Sequence, residues 1–272
     1  MTAANPPKDS EYLSTLERGL SVLRAFSRER PEMTLSEVAA VTGLSPAVAR
    51  RCLHTLVTLG YVARQEKRFL LTAEVMAFAS AFLESMNLEQ VVRPHLQEVR
   101  DETGDSSSMA VFSDPDVLYL VHVSTNRMVR LAAGVGTRFP AHATSLGRII
   151  VAHQPAEMME RYLAETPLTR YTEKTIVDRT RLAQILRQAA RNDYASIQDE
   201  LDYGIVSVAV PVRAGDSEVI AAINCSTATS RVDPGEMLDT RLPVLRRAAR
   251  AIEIELQRYP VLVNSIRAAG RS

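Results

Sequence analysis

Apolar residues recur with helical spacing through the first quarter of the chain, and with strand-like spacing further on. Leu16, Leu20, Leu23 and Phe26 follow one another at intervals of three and four residues. This spacing places them on one side of a helix, which we predict over residues 13–27. Two shorter helices should follow it, separated by a turn around residue 43, so the region has the pattern of a helical DNA-binding motif.

The predicted ends of these two helices carry residues that commonly start or stop a helix. Thr34 and Glu37 have the spacing of a capping box, and Gly43 favours the left-handed conformation that ends a helix. Ser45 can cap the second helix, while Pro46 at its first position leaves no N–H unpaired. Gly60 should end it. The predicted buried stripe of the second helix consists of Val48, Cys52, Leu53, Leu56 and Leu59.

A short hairpin follows, with strands predicted over 61–64 and 68–71 and a tip at 65–67. The whole pattern is that of a winged helix-turn-helix. Residues 44–68 carry five cations and one anion in a chain of net charge zero, which suits phosphate binding, and outward side chains on the second helix can contact bases. A winged helix that packs against another protein is the alternative. The residues predicted to bind DNA are Ser45, Ala47, Arg50, Arg51, His54, Arg64, Lys67 and Arg68.

The helix predicted after the wing is unusually apolar. Thr72 should cap this helix. The helix has more apolar residues than one buried stripe requires, namely Val75, Met76, Phe78, Ala79, Phe82 and Leu83. We expect this helix to be buried against a second copy of the chain; packing on its own domain is the alternative. Asn87 and Gln90 predict a capped start of the next helix, which should end at Gly104.

The rest of the chain mixes strands and helices, which indicates an α+β domain with an antiparallel sheet covered by helices. Strands are predicted over 107–113, 117–124, 128–133, 194–198, 205–212 and 219–226, and helices over 144–153, 156–163, 180–192 and from Asp233 to Tyr259, with a kink at Pro243. The predicted organisation is a disordered start (1–10), a winged helix-turn-helix domain (11–73), a linker helix (74–86), an effector-binding domain (87–260) and a tail (261–272).

Composition narrows the class of protein. With 46% hydrophobic and 24% charged residues, 272 residues suffice for two domains. No apolar run reaches the length of a membrane span and the N-terminus lacks the apolar core of a signal peptide, so we predict a cytoplasmic protein without a membrane partner. Cys52 and Cys225 lie far apart in apolar runs and should be buried free thiols.

Catalytic and metal-binding motifs are incomplete. Residues 143–147 resemble a nucleophile elbow around Ser145, but Ala143 stands where glycine is needed. Gly134 and Gly136 have no third glycine, and the five histidines lack metal-ligand spacing. The carboxylates at 199, 200 and 202 have the pattern of a solvated cluster. We therefore predict no catalytic residue, no metal and no cofactor; an enzyme with a fused winged helix is the disfavoured alternative.

Four ordered blocks carry a family resemblance: residues 136–148, 194–204, 208–212 and 222–226. With the N-terminal pattern, the chain resembles the IclR family of bacterial transcriptional regulators. The resemblance implies an N-terminal winged helix-turn-helix joined by a linker helix to a GAF-like α+β effector-binding domain. It also implies double-stranded operator DNA as a partner, and a homodimer that can pair into a dimer of dimers.

Residues 102–111 and 143–148, together with the pair Gln198 and Glu200, are similar to the family branch of PcaR, PcaU and PobR, regulators of aromatic-acid breakdown. Members of that branch respond to protocatechuate, 4-hydroxybenzoate or β-ketoadipate. A small organic acid, aromatic or dicarboxylic, is therefore the expected effector. The alternative is a regulator of an unrelated pathway that responds to a small oxo-acid or a sugar acid.

The resemblance also implies the position of the effector pocket. Relatives that bind small oxo-acids tend to have an acid near 197–198, a cysteine at 207 and a serine at 224; this chain differs at all three, which favours a bulkier ligand with more hydrogen-bonding oxygens. The alternative is that Ser207, Asn224 and Ser226 are ordinary strand residues that face water or neighbouring backbone. The implied effector-binding residues are Ala141, His142, Gln198, Ser207, Asn224 and Ser226, with Arg130 as a candidate partner of an effector carboxylate.

Overall fold

A computed structural model describes residues 11–27, 29–125, 133–215 and 217–269. The chain divides after Phe82 into two compact units, each with its own core. The predicted disordered start at 1–10 and nearly all of the strand predicted at 128–133 lie outside the described residues. Within the described residues, no helix is long and apolar enough to cross a membrane.

The first unit is a winged helix-turn-helix. Its elements are α1 (Ser14–Arg24), β1 (Glu32–Thr34), α2 (Leu35–Thr42), α3 (Pro46–Thr58), β2 (Val62–Gln65), β3 (Arg68–Leu71), a 3₁₀ turn (Ala73–Val75) and the start of α4 (Met76–Met86). The three strands form an antiparallel sheet in the order β1-β3-β2. The short strand β1 was not expected from the sequence; it adds a third strand to the wing.

The predicted helix ends are confirmed. The backbone N–H of Thr34 donates to a Glu37 carboxylate oxygen at 2.7 Å, and the N–H of Glu37 donates to Thr34 Oγ1 at 3.3 Å, which completes the capping box. Gly43 has the left-handed φ of 68°. Ser45 Oγ accepts from the N–H of Val48 at 3.4 Å, with Pro46 at the first helical position. These local bonds orient α3 against α2.

The buried stripe of α3 differs from the prediction at three positions. Ala49, Cys52, Leu53 and Leu56 are its buried residues. Ala49, which was not predicted, lies three and four residues before Cys52 and Leu53, and Val48 is only partly buried. Leu59 follows the last helical residue and is 61% exposed. The face of α3 opposite the stripe is exposed.

The second unit is an α+β domain with one six-stranded antiparallel sheet in the order β6-β5-β4-β9-β8-β7. The end of α4 leads into α5 (Leu88–Thr103), β4 (Ser106–Ser113), β5 (Asp116–Val123), β6 (Arg138–Pro140), a 3₁₀ turn (Ala141–Ala143), α6 (Ser145–Ala152), α7 (Ala156–Glu165), α8 (Arg179–Asn192), β7 (Ala195–Gln198), β8 (Ile205–Arg213), β9 (Val219–Ala228), α9 (Pro234–Glu236), a π-helical turn (Met237–Arg241), α10 (Leu242–Leu256) and α11 (Pro260–Ala269).

Helices cover this sheet. Leu146 and Ile149 of α6 and Leu182 of α8 join the sheet residues Ala209 and Ala222 in one apolar cluster. The end of α5 lies on the other face, since Thr103 contacts Cys225, which alternates with Ala222 and Asn224 along β9. Helix α10 packs against α5 and β8. The sheet is thus enclosed, and polar side chains on it require partners.

Two local predictions for this unit change, and a third is confirmed. Asn87 adopts a left-handed φ of 52° and makes no side-chain cap; its carbonyl accepts from the N–H of Gln90 instead. The tail predicted from residue 261 is largely helix α11, because Leu262 and Ile266 lie on one face and are buried. The break predicted at Pro243 is present as the π-helical turn that precedes α10.

Candidate DNA-binding surface and effector site

The exposed face of α3 presents the residues predicted to contact bases. Ala47, Arg50, Arg51 and His54 are all exposed and lie away from the buried stripe. Among the described residues, neither arginine makes an ion pair, so both guanidinium groups can bind phosphates or bases. Ala47, in the first turn, is small enough to let the helix approach a groove closely.

The three predicted cations of the wing differ in their surroundings. Arg64 is held by its own hairpin: Nε donates to the carbonyl of Glu66 at 2.8 Å, and the guanidinium lies 6.0 Å from the centre of the Phe69 ring. Lys67, at the exposed tip, has no ion-pair partner in the part of the chain that the structure describes. Lys67 is therefore the wing cation best placed to contact DNA phosphate.

Arg68 has acidic neighbours that are distant from it in the sequence. Its guanidinium lies 3.4 Å from a Glu32 carboxylate oxygen and 3.9 Å from one of Glu37. Strand β1 creates this arrangement, because Thr34 pairs with Arg68 in the antiparallel register. The positive charge of Arg68 is thus partly offset, and its contribution to phosphate binding should be smaller than that of Lys67.

Polar side chains from three adjacent strands share one face of the large sheet. Ser108 of β4 lies opposite Asn224 of β9, and Ser207 of β8 lies opposite Ser226. Directly opposed residues point to the same face, as do residues two apart in one strand. We call Ser108, Ser207, Asn224 and Ser226, with the helix residue Ser145, the polar patch.

The side chains at the centre of the polar patch bond to one another. Ser207 Oγ donates to the carbonyl of Cys225 at 3.0 Å, and Asn224 Nδ2 donates to Ser207 Oγ at 3.1 Å. Ser145 Oγ lies 2.8 Å from Ser207 Oγ. Ser207 and Asn224 are 3% and 5% exposed, so they do not face bulk water. The patch is a small set of buried hydrogen-bonding groups beside an apolar cluster, as small-molecule sites commonly are.

Ser145 reaches the patch because of the turn before α6. Thr144 caps this helix through the N–H of Gly147 at 3.1 Å. A Cβ on Gly147 would lie 2.2 Å from the Cα of Ala141, so only glycine lets the 3₁₀ turn pack so closely on α6. The first residue of α6 is thereby held beside Ser207. The local sequence around Ser145 indicates only an incomplete nucleophile elbow, and its contact with Ser207 depends on the fold.

The other predicted pocket residues are not part of this patch. Ala141 belongs to the apolar cluster, and His142 Nε2 lies 3.0 Å from the carbonyl of Thr169. Gln198 pairs with Val206 in the register, so it lies on the sheet face opposite to that of Ser207. Arg130 lies outside the described residues. Of the predicted set, the structure brings together Ser207, Asn224 and Ser226.

A histidine next to the patch was not predicted. His122 of β5 lies opposite Ser108, and its Nδ1 is 2.9 Å from Ser108 Oγ. Burial lowers the pKa of His122 below its ordinary value, and the positive charge of Arg93 lowers it further, so the imidazole is neutral at pH 7. Only the register of β4 with β5 reveals this contact.

A buried ion pair lies beside the start of α6. Arg148 donates to both carboxylate oxygens of Glu200, one of them at 2.7 Å, while its Nε donates to the carbonyl of His142 at 2.9 Å. Glu200 also accepts from the N–H of Ile176 at 3.2 Å. The prediction that residues 199–202 form a solvated cluster was wrong for Asp199 and Glu200, which are 8% and 7% exposed. Their partners lie far away in sequence.

Both units match models of one protein family. Residues 15–66 match the IclR helix-turn-helix domain, and residues 80–254 match the C-terminal domain of bacterial transcriptional regulators of the IclR type. The chain belongs to the IclR family. The predicted family and the predicted fold, a winged helix-turn-helix followed by an α+β domain, are confirmed.

Named relatives of this IclR-family chain are regulators of transcription. It is 32% identical over 243 residues to the Pca regulon regulatory protein of Pseudomonas putida, covering 89% of this chain and 84% of that protein. It is also 32% identical over 250 residues to the p-hydroxybenzoate hydroxylase transcriptional activator of Acinetobacter baylyi, covering 90% and 92%. The chain is accordingly a DNA-binding transcriptional regulator and not an enzyme, as predicted.

Solved structures show the same architecture. A transcriptional regulator from Rhodococcus sp. RHA1 is 35% identical, with a TM-score of 0.74 over 91% of this chain and 99% of that one. An IclR homologue from Microbacterium hydrocarbonoxydans, crystallised with 4-hydroxybenzoate, is 26% identical, with a TM-score of 0.74 over 90% of this chain and 99% of that one.

Proposed function

We propose that this regulator controls genes for the breakdown of aromatic acids, and that a hydroxylated aromatic acid or β-ketoadipate is its effector. The polar patch around Ser207 and Asn224 carries the proposal, since it places hydrogen-bonding groups beside an apolar cluster. An aromatic ring suits the apolar side and its oxygens suit the patch. The names of the two relatives and the bound 4-hydroxybenzoate of the Microbacterium homologue support the same ligand class.

The alternative effectors, small oxo-acids and sugar acids, fit this patch less well. A small oxo-acid carries no apolar ring, whereas the patch combines an amide with serine hydroxyls and borders an apolar cluster. A sugar acid would leave several of its hydroxyl groups against that cluster without partners, which costs free energy. A hydroxylated aromatic acid has an apolar ring to place against the cluster and fewer hydroxyl groups to pair.

The proposed DNA contacts are those of α3 and the wing. Arg50, Arg51 and His54 would lie in the major groove, and Lys67 would contact phosphate beside it. Ser45 would contribute its backbone at the helix start. Arg64 and Arg68 would contribute less, since contacts within the unit already hold them. The protein would act in the bacterial cytoplasm, where its operator lies.

We further propose that the active form is a homodimer, which can pair into a dimer of dimers. Met76 and Phe78 on α4 are 64% and 61% exposed, although Phe78 stacks on Tyr61 at 5.3 Å. Apolar side chains exposed in this way are candidates for burial against a second copy. Two copies would place two α3 helices in successive major grooves. An effector would then act by binding one quaternary arrangement more tightly than the other.

The effector proposal is tested by thermal shift of the full chain. Protocatechuate, 4-hydroxybenzoate and β-ketoadipate are compared with pyruvate, glyoxylate and gluconate at matched concentrations. A ligand present at about 100 times its Kd should stabilise the folded protein by about 2.7 kcal/mol, which is readily measured. Stabilisation only by one or more of the first three acids supports the proposal. Stabilisation by pyruvate, glyoxylate or gluconate alone would refute it.

The DNA proposal is tested with Arg50→Ala in gel shifts on the operator and on a scrambled duplex. Loss of one base contact should reduce discrimination between the two duplexes by about 1–3 kcal/mol. Thr58→Ala, an exposed change at the far end of the same helix, is the control. Undiminished discrimination by the Arg50 variant would mean that this side chain reads no base.

A further inference from the structure

One atom of the polar patch lacks a hydrogen-bond partner. Asn224 Oδ1 is buried, and no donor lies within hydrogen-bond distance among the described residues. A buried amide oxygen without a donor costs free energy, so its presence in a folded domain requires an explanation. The atom lies on the sheet face that also carries Ser207 and Ser226, where we propose that the effector binds.

The hydrogen bonds around Ser207 determine which end of the Asn224 amide is free. Ser207 has one hydroxyl proton, which it donates to the carbonyl of Cys225 at 3.0 Å. Its oxygen can then only accept from Asn224, so the amide nitrogen must face Ser207, at 3.1 Å. Ser145 Oγ, at 2.8 Å, supplies the second donor to the same oxygen. The amide oxygen is therefore oriented away from Ser207.

The other polar side chains near Asn224 do not supply the missing donor. Ser108 lies directly opposite, and its hydroxyl is 2.9 Å from His122 Nδ1. No donor atom of Ser108 or of another described residue lies within hydrogen-bond distance of Asn224 Oδ1.

We propose that Asn224 Oδ1 accepts a hydrogen bond from a hydroxyl group of the effector, and that this bond selects hydroxylated acids over analogues without the hydroxyl. A carboxylate has no proton to donate and would be repelled by the amide oxygen, so the acid group must point elsewhere. The Ser145–Ser207 pair holds the amide in the selective orientation. This inference rests on the proposed function, because it assigns a chemical role within the same effector site.

The wild-type protein provides the first test, with matched ligands that differ at one substituent. Binding of 4-hydroxybenzoate is compared with that of 4-fluorobenzoate, and 3-hydroxybenzoate with 3-fluorobenzoate, by isothermal titration calorimetry of the full chain. Fluorine is of similar size to a hydroxyl but donates no hydrogen bond. In at least one pair the hydroxylated acid should bind about five- to hundred-fold more tightly, the value of one satisfied buried acceptor.

Two variants then locate the effect. In Asn224→Leu the preference for the hydroxylated acid should fall to about one, since no acceptor is left to satisfy. Ser196→Ala, an exposed change on β7 outside the polar patch, should keep the wild-type preference. Operator binding and the melting temperature verify that each variant is folded; if Asn224→Leu does not fold, the wild-type pairs decide alone.

The outcomes separate this inference from the proposed function. Equal affinity for both members of both pairs in the wild type would overturn the role of Asn224 and leave the aromatic effector class standing. A preference that persists in Asn224→Leu would overturn it as well. Binding of β-ketoadipate but of no hydroxylated aromatic acid would overturn this inference and leave the proposed function standing. Binding of neither would overturn both.

Discussion

Removing Glu200 should destabilise the second unit strongly, because its partner Arg148 cannot reach water. The two side chains are 9% and 2% exposed, and the guanidinium engages both carboxylate oxygens. In Glu200→Ala the buried cation keeps only its bond to the carbonyl of His142. Loss of one member of a buried ion pair typically costs about 3–5 kcal/mol. For a domain of this size, that corresponds to a melting temperature lower by about 6–20 °C.

Near-UV circular dichroism monitors the thermal unfolding of four proteins. These are the wild type, Glu200→Ala, Arg148→Met and the double variant Arg148→Met with Glu200→Leu. The double variant should recover most of the loss, because two apolar side chains leave no charge buried. Arg247→Ala is the matched control. Arg247 pairs with Glu102, but both side chains are more than half exposed, so the change should be below about 1 kcal/mol.

Two results would refute this reasoning. If Glu200→Ala lowered the stability no more than the Arg247 control does, Arg148 would have access to water or to another acceptor. If the double variant were as unstable as the sum of the single variants, the cost would come from packing and not from an unpaired charge.

Two further predictions concern the wing and the pH dependence. Lys67→Ala should weaken binding to all duplexes alike and reduce the slope of log K against log salt by about 0.9, whereas Arg68→Ala should change that slope less. Fluorescence anisotropy over a KCl series measures both slopes. Equal slopes for the two variants would contradict the distinction between these cations. Burial lowers the pKa of His122, His142 and His153 in the folded state. As the pH falls below about 6.5, the unfolded chain therefore binds more protons than the folded protein does. The free energy of unfolding should consequently decrease as the pH falls below that value. His142→Gln, whose amide can still donate to the carbonyl of Thr169, should reduce the loss between pH 7 and 5.5 in urea titrations; an unchanged loss would exclude His142 as a contributor.

Much of the secondary structure follows from residues close together in the sequence. The capping box of Thr34 and Glu37, the cap at Ser45 and the left-handed Gly43 each involve groups within four residues of one another. Their interactions form in almost any tertiary context. The same holds for the wing hairpin and the outward face of α3, which are set by turn residues and by helical spacing. The DNA-binding surface was therefore predictable at the level of its elements.

Pairing partners that are distant in the sequence were not predictable. Arg68 resembled Lys67 until strand β1 placed Glu32 and Glu37 beside it. Gln198 resembled a pocket residue until its pairing with Val206 assigned it to the opposite face. A shift of one residue in strand register moves every side chain to the other face, and no local signal determines that register.

The same distinction applies to the effector site. The sequence by itself determined that Ser207, Asn224 and Ser226 lie on strands with a two-residue period, and the family blocks indicated where a ligand would bind. Only the tertiary structure brought Ser145 to within 2.8 Å of Ser207, opposed Ser108 to Asn224 and paired Arg148 with Glu200. The physical reason is that a buried polar group needs a hydrogen-bonding partner. In this sheet neighbouring strands such as β4 and β9 are far apart in the sequence, so that partner lies many residues away.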